Sequence, residues 1–197
     1  MLPDDRLSTF PVPGTIIGGR AQTANDRVDF ENGGVNLSDP SLGLNVKVWK
    51  GEIIDDKIFL SAEDVVPVEV YSGNGLTSIS IAFDQNMNYF LAFTEQGVAK
   101  IRWYDTTILV HIVTVFTTGY RGLKATMDDK RMRQSSNNDI ILSYIRNNGL
   151  YYRQQRDRFT IERLLKGELS DYSRLLKIGM GNNWRLQFVM SKPKYGG

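Results

Sequence analysis

Ser80-Ile81-Ala82-Phe83-Asp84 and Lys124-Ala125-Thr126-Met127-Asp128 open two passages written in one grammar. Asn88-Tyr89-Phe90-Leu91-Ala92-Phe93 then aligns with Asp139-Ile140-Ile141-Leu142-Ser143-Tyr144. Val98-Ala99-Lys100-Ile101-Arg102-Trp103-Tyr104-Asp105 aligns with Leu150-Tyr151-Tyr152-Arg153-Gln154-Gln155-Arg156-Asp157. Both passages close on a further apolar segment, Ile108–Phe116 and Phe159–Leu165. Each reads as a strand ending in Asp, a loop, a strand, a Gly hairpin, a strand ending in Asp and a last strand. The spacing between copies grows from 44 to 51 and 52 residues because the loop over 129–138 is longer in the second. Four short antiparallel strands in about 40–50 residues form the unit of a β-propeller blade. The repeats over 78–116 and 123–165 therefore predict an all-β fold of antiparallel, propeller-like blades, about two to three in number.

Outward from the repeats, residues 44–71 keep the β pattern. Leu44-Asn45-Val46-Lys47-Val48-Trp49 alternates apolar and polar residues, and Pro67 marks Val66–Tyr71 as an edge or a strand start. This segment reads as the later half of a further blade. The chain end, Leu175–Met180 and Trp184–Met190 around Gly181-Asn182-Asn183, reads as a hairpin that completes that blade by pairing near residue 44. Residues 161–176 have partly helical spacing, which suggests a short helix over 170–177. Residues 1–43 carry Pro3, Pro11, Pro13, Gly18-Gly19 and Gly33-Gly34 and read as an extended N-terminal assembly arm, the alternative being a loop-rich cap on the blade domain, 44–197. About three blades are too few for one chain to close a ring. Open edges and apolar faces must be covered, which predicts a homo-oligomer or a part of a larger shell.

Composition narrows the chemistry. The 197 residues contain 24 Lys+Arg against 22 Asp+Glu, a net charge of +2 that favours neither nucleic acid nor a membrane surface as partner. Cysteine is absent, so disulfides, thiolate nucleophiles and Cys-based zinc sites are excluded. The acidic opening, Asp4-Asp5, predicts no secretory signal, and no apolar run approaches the roughly 20 residues of a membrane helix. The single His111 lies in the most apolar strand and reads as a structural imidazole. Asp55-Asp56 and Asp128-Asp129 read as turn caps, since they lack the alternating ligand ladder of a calcium loop. Gly14–Arg20 resembles a phosphate loop only superficially, without its Lys. Arg102, Arg121, Arg153, Arg156 and Arg158 are numerous enough for a sialidase-like site, but nothing in the sequence gathers them. No catalytic, metal or cofactor residues are assigned, and the chain reads as a non-enzyme. The conspicuous cluster is Tyr151 to Phe159, where aromatic and basic residues interleave. Arg153, Gln155, Arg156 and Arg158, with Trp103 and Tyr151, are the candidate interface residues, because Arg and aromatics are enriched where proteins meet.

The phrases Ile81–Met87, Val98–Asp105, Asp139–Arg146, Leu150–Phe159 and Ile178–Phe188 resemble a family of small virion structural proteins of tailed bacteriophages. The resemblance spans about residues 35–190 and contains no catalytic motif. It implies a tail or head–tail neck component, such as a nozzle, collar or adaptor, assembled in the bacterial cytoplasm and carried in the virion. Its partners would be copies of itself and other tail or neck proteins. The alternative is a receptor- or carbohydrate-binding tail module, with Trp103, Tyr104, Tyr151 and Trp184 as sugar platforms.

Overall fold

A computed structural model describes residues 26–36, 44–84, 87–117, 119–127, 140–169, 174–180 and 186–191. The fold is all-β, as the repeats predict. Sheet one contains β1 (Val28–Asn36), β2 (Leu44–Ile54), β3 (Lys57–Ala62) and β4 (Val65–Ser72) in that order. Sheet two contains β5 (Leu76–Phe83), β6 (Tyr89–Glu95), β7 (Val98–Asp105) and β8 (Val110–Val115). Sheet three contains β9 (Arg121–Met127), β10 (Ile140–Arg146), β11 (Gly149–Gln154) and β12 (Arg163–Lys166). A hairpin of β13 (Arg174–Met180) and β14 (Leu186–Ser191) follows. Every pairing is antiparallel between neighbours in sequence.

One turn recurs in all three sheets. Asp55-Asp56, Gln96-Gly97 and Asn147-Asn148 each join the second strand to the third, and all six residues have positive φ, between 46° and 75°. Two-residue hairpins of this kind match strand twist and favour Asn, Asp and Gly. Aligning the sheets on this turn shows three copies. The copy over 78–116 and the copy over 123–165 are both present. Their first two strands keep the alignment read from sequence, whereas the third is offset by one residue, so that Val98 corresponds to Gly149.

Sheet one is completed differently from the sequence reading. The chain end does not pair near residue 44; Val28–Asn36 does, from Val28 opposite Glu52 to Asn36 opposite Leu44. The described part of the N-terminal segment is thus the inner strand of the first sheet, and residues 1–25 and 37–43 lie outside the described residues. The suggested helix over 170–177 is likewise displaced where it is described: residues 174–177 belong to β13. Leu175 and Ile178 are buried in the cluster formed with Ile145 and Leu150, and strand pairing with β14 satisfies the backbone.

Burial follows the blade arrangement. Ile53, Ile58 and Leu60 of sheet one meet Leu76, Ile79, Ile81, Phe83, Leu91 and Phe93 of sheet two. The opposite face of sheet two, with Phe90, Ala92, Ile101 and Trp103, meets Leu123, Ala125, Leu142 and Tyr144 of sheet three. Gly51 permits the close approach of the first two sheets, since a Cβ there would stand 2.5 Å from Cγ2 of the buried Ile81.

The inner strands β1, β5, β9 and β13 lie side by side. Asp29, Ser80 and Lys124 occupy one equivalent position, opposite Gly51, Ala92 and Ser143. The first two inner strands each reach the next through this position. Asp29 Oδ2 accepts from Ile81 N and Ser80 Oγ, both at 2.9 Å. Ser80 Oγ accepts from Ala125 N at 3.0 Å. Lys177 of β13 returns to the first sheet, with Nζ 3.1 Å from Asp29 Oδ1, 3.0 Å from Glu31 Oε2 and 2.6 Å from Phe30 O. Ile81, Ala125 and Phe30 are themselves equivalent. The fourth member that the sequence arithmetic leaves out is therefore the C-terminal hairpin, docked by a buried lysine.

Burial alone would raise the Asp29 pKa, but the Lys177 ammonium, Lys124 and the hydrogen bonds from Ile81 and Ser80 hold it below its ordinary 3.8. Burial would lower Lys177, but Asp29 and Glu31 raise it above 10.5. The depressed carboxyl contributes stability above 3.8 that disappears as pH falls through its folded value; the raised ammonium contributes below 10.5 and fails as pH climbs through its own. Urea unfolding across pH should show both limbs, and Lys177→Met should shrink the alkaline one, which the raised Tyr71 and Tyr144 phenols share, while costing about 3–5 kcal/mol, because two buried carboxylates lose their cation. Gly51→Ala should cost about 1–3 kcal/mol in the same assay through overpacking against Ile81.

Candidate functional site

The corrected register of the third strands places Arg102 and Arg153 at the same position, two residues after Lys100 and Tyr151. Each guanidinium lies among aromatic rings where consecutive sheets meet. Arg102 stands 6.0 Å from the Tyr71 ring centroid and 5.8 Å from that of Tyr89. Arg153 stands 5.0 Å from Phe116, 5.9 Å from Tyr144 and 6.0 Å from Tyr120. The tyrosines preceding the two sheets complete the likeness: Tyr71 packs on Phe93 at 4.5 Å, and Tyr120 on Tyr144 at 4.8 Å. Phe93 and Tyr144 are equivalent second-strand positions.

Arg153 is the more deeply committed. Its Nε donates to Tyr144 Oη at 2.7 Å, Nη1 to Phe159 O at 2.7 Å and Nη2 to Tyr120 Oη at 3.2 Å. Tyr144 Oη donates onward to Glu162 Oε2 at 2.6 Å, and Arg146 Nη1 lies 3.1 Å from Glu162 Oε1. Burial favours neutral Glu162, yet the Tyr144 hydroxyl, Arg153 and Arg146 hold its pKa below 4.5. Burial and that same Glu162 bond raise the Tyr144 phenol. In sheet two, burial and the Glu95 carboxylate push the Tyr71 phenol up to about 12. Tyr71 donates to Glu95 at 2.9 Å, and Glu95 also pairs with Lys100 and accepts from Asn74 N. These networks bind the third and second strands to the connection entering the sheet.

The other candidate interface residues are spread over this junction. Gln155 is half-buried and Arg156 exposed in a single 3₁₀ turn, Gln155–Asp157. Arg158 is exposed with φ 52°; its guanidinium pairs with the buried Asp105 and stands 6.0 Å from the Trp103 ring. Trp103 is buried, meets Phe159 edge-on at 5.3 Å, and donates from Nε1 to Thr114 Oγ1 at 3.2 Å. Tyr151 is half-buried, stacked on Tyr144 with centroids 6.2 Å apart. Of the aromatic platforms read from sequence, Tyr104 is half-buried beside His111, and Trp184 lies outside the described residues.

The remaining polar candidates have local roles. Asp56 Oδ1 accepts from Leu76 N at 3.0 Å, tying a hairpin to the connection between sheets one and two. Asp128-Asp129 lies outside the described residues. Asp84 accepts from Asn88 N and Nδ2, both at 2.9 Å, and Asp105 accepts from Thr107 N at 2.9 Å. Asp84 and Asp105 are therefore caps on the turns that follow them, whereas Asp157 pairs with Arg163. The His111 ring stacks on Tyr89 at 4.0 Å, with Nε2 3.3 Å from Tyr89 O, and burial lowers its pKa. Among the described residues, no three His, Asp or Glu side chains gather as metal ligands, and no helix is long and apolar enough to cross a membrane.

What the surface does present is aliphatic. The outer strands expose Val66 and Val68 on β4, Val110, Val113 and Val115 on β8, and Leu164 and Leu165 on β12. Compared with known proteins, the chain matches no family model, no curated protein and no solved structure.

Arg153→Lys should keep the charge but lose the forked geometry, costing about 2–3 kcal/mol in urea unfolding. Tyr144→Phe should cost about 1–2 kcal/mol, and the double variant less than the sum, because both belong to one network.

Proposed function

We propose that this chain is a non-catalytic structural component of a tailed-phage virion, working as an oligomeric tail or head–tail neck protein. The observation that carries the assembly reading is the row of aliphatic side chains along the outer strands, above all on β8. Apolar edges of this kind are costly on an isolated chain and useful where copies meet. The virion assignment comes from the resemblance of residues 35–190 to small tailed-phage structural proteins. The Arg102 and Arg153 networks fit a scaffold role, since they commit cations and phenols to holding sheets together.

The test is the solution mass of the full-length chain by light scattering over a concentration series. A defined multimer is expected. A monomer at every concentration, together with specific binding on a glycan array, would overturn the assembly reading in favour of a receptor module.

A further inference from the structure

The outer strand β8 is the edge least defended against pairing with another chain. Proteins blunt edges with proline, charge, bulges or shortness. β4 has Pro67 and Glu69, and its register against β3 shifts twice. β12 has four residues, includes Arg163 and Lys166, and pairs irregularly with β11. β14 is half-buried along its whole length. β8 has none of these devices. Its six residues, Val110-His111-Ile112-Val113-Thr114-Val115, include no proline and no Asp, Glu, Lys or Arg, and six consecutive pairs with β7 run without a shift. It is the last strand of its sheet, with Val110, Val113 and Val115 49%, 44% and 60% exposed. Phe116 N donates to Ala99 O, just before Lys100 on β7. By the alternation of an antiparallel ladder, residues 110, 112 and 114 also turn their backbone groups to β7, and 111, 113 and 115 turn theirs to the open edge.

We propose that β8 pairs antiparallel with β8 of a second copy of this chain, joining two four-stranded sheets into one of eight. The inference rests on the assembly reading above and names its surface. The occupant follows from charge. A strand without formal charge meets its own copy with no like charges opposed, whereas β4 or β12 would set Glu or Lys and Arg near their own kind. A two-fold axis at Val113 puts Val113 against its mate and His111 against Val115 of the other copy. All three lie on one face of the strand, so each Val113 covers its mate and each His111 covers a Val115.

The chain has no cysteine, so Val113→Cys introduces a single thiol. A short bis-maleimide should link this variant into dimers, while Val66→Cys on the β4 edge should give none. Val113→Lys with Val115→Lys should raise the dissociation constant at least about tenfold by light scattering, and Val66→Lys should leave it unchanged. Circular dichroism of the lysine variants checks that they fold, and the cysteine pair needs no destabilising change. A wild-type multimer that survives the β8 lysines, with no cross-linked dimer of the Val113→Cys variant, would overturn this pairing and leave the assembly reading standing. A monomeric wild type, again with no cross-linking through Val113→Cys, would overturn both.

Discussion

A carboxylate buried between four strands sets the terms for the rest of this molecule. Asp29 sits in the middle of the inner strands and accepts from a backbone amide, a serine hydroxyl and a lysine, all contributed by other strands. An ionised carboxylate in such a place is tolerable only when every partner is present. The geometry of the inner strands is therefore specified jointly. Ser80 must be close enough to hold both Asp29 and Ala125, and β13 must return to β1 for Lys177 to meet its carboxylates. Apolar packing supplies area between sheets, but area is non-directional; the polar position repeated from one inner strand to the next fixes register.

Much of this is legible in the sequence, and the misses have physical causes. Ser80 over Lys124 and Phe93 over Tyr144 are the true equivalences, because alternating burial preserves phase along a strand. The third strand slips by one residue when Gly97 is matched to Gly149. In the fold Gly97 corresponds to Asn148, and asparagine occupies the left-handed region nearly as readily as glycine in such a turn. The first copy is hidden by its inner strand, Val28–Asn36, whose Asn32, Gly33 and Gly34 carry turn chemistry while its pairing with β2 keeps it extended. The C-terminal hairpin is visible as a hairpin, but its partner is not, since a lysine that closes a circuit looks like any other lysine.

The arginine-rich segment shows a related limit. Interleaved Arg and Tyr residues have the composition of a binding surface, and only three-dimensional placement tells how they are used. Arg153 is tied within the chain by all three of its nitrogens, while Arg158 lies exposed at the same junction. Lys100, Arg102 and Tyr104 alternate with buried Ala99, Ile101 and Trp103 along β7. That alternation is readable; the crossing of Arg102 and Arg153 with tyrosines from a preceding strand or connection is not, because it is set by how successive sheets overlap.

The lysine that joins β13 to β1 has a consequence for the order in which the chain acquires its shape. Asp29 and Lys177 are 148 residues apart. Sheets two and three are built from neighbouring hairpins whose loops close at little entropic cost and are available early. Among the described hydrogen bonds, the union of first and last inner strands carries the longest loop closure. Until residue 177 arrives, Asp29 and Glu31 keep their water, and the face of sheet one that holds them stays open. During synthesis, with the N-terminal side emerging first, the first inner strand is thus the earliest made and among the last to be sealed. The buried charges act as a completion signal: the inner strands come together dry only when the whole circuit is present.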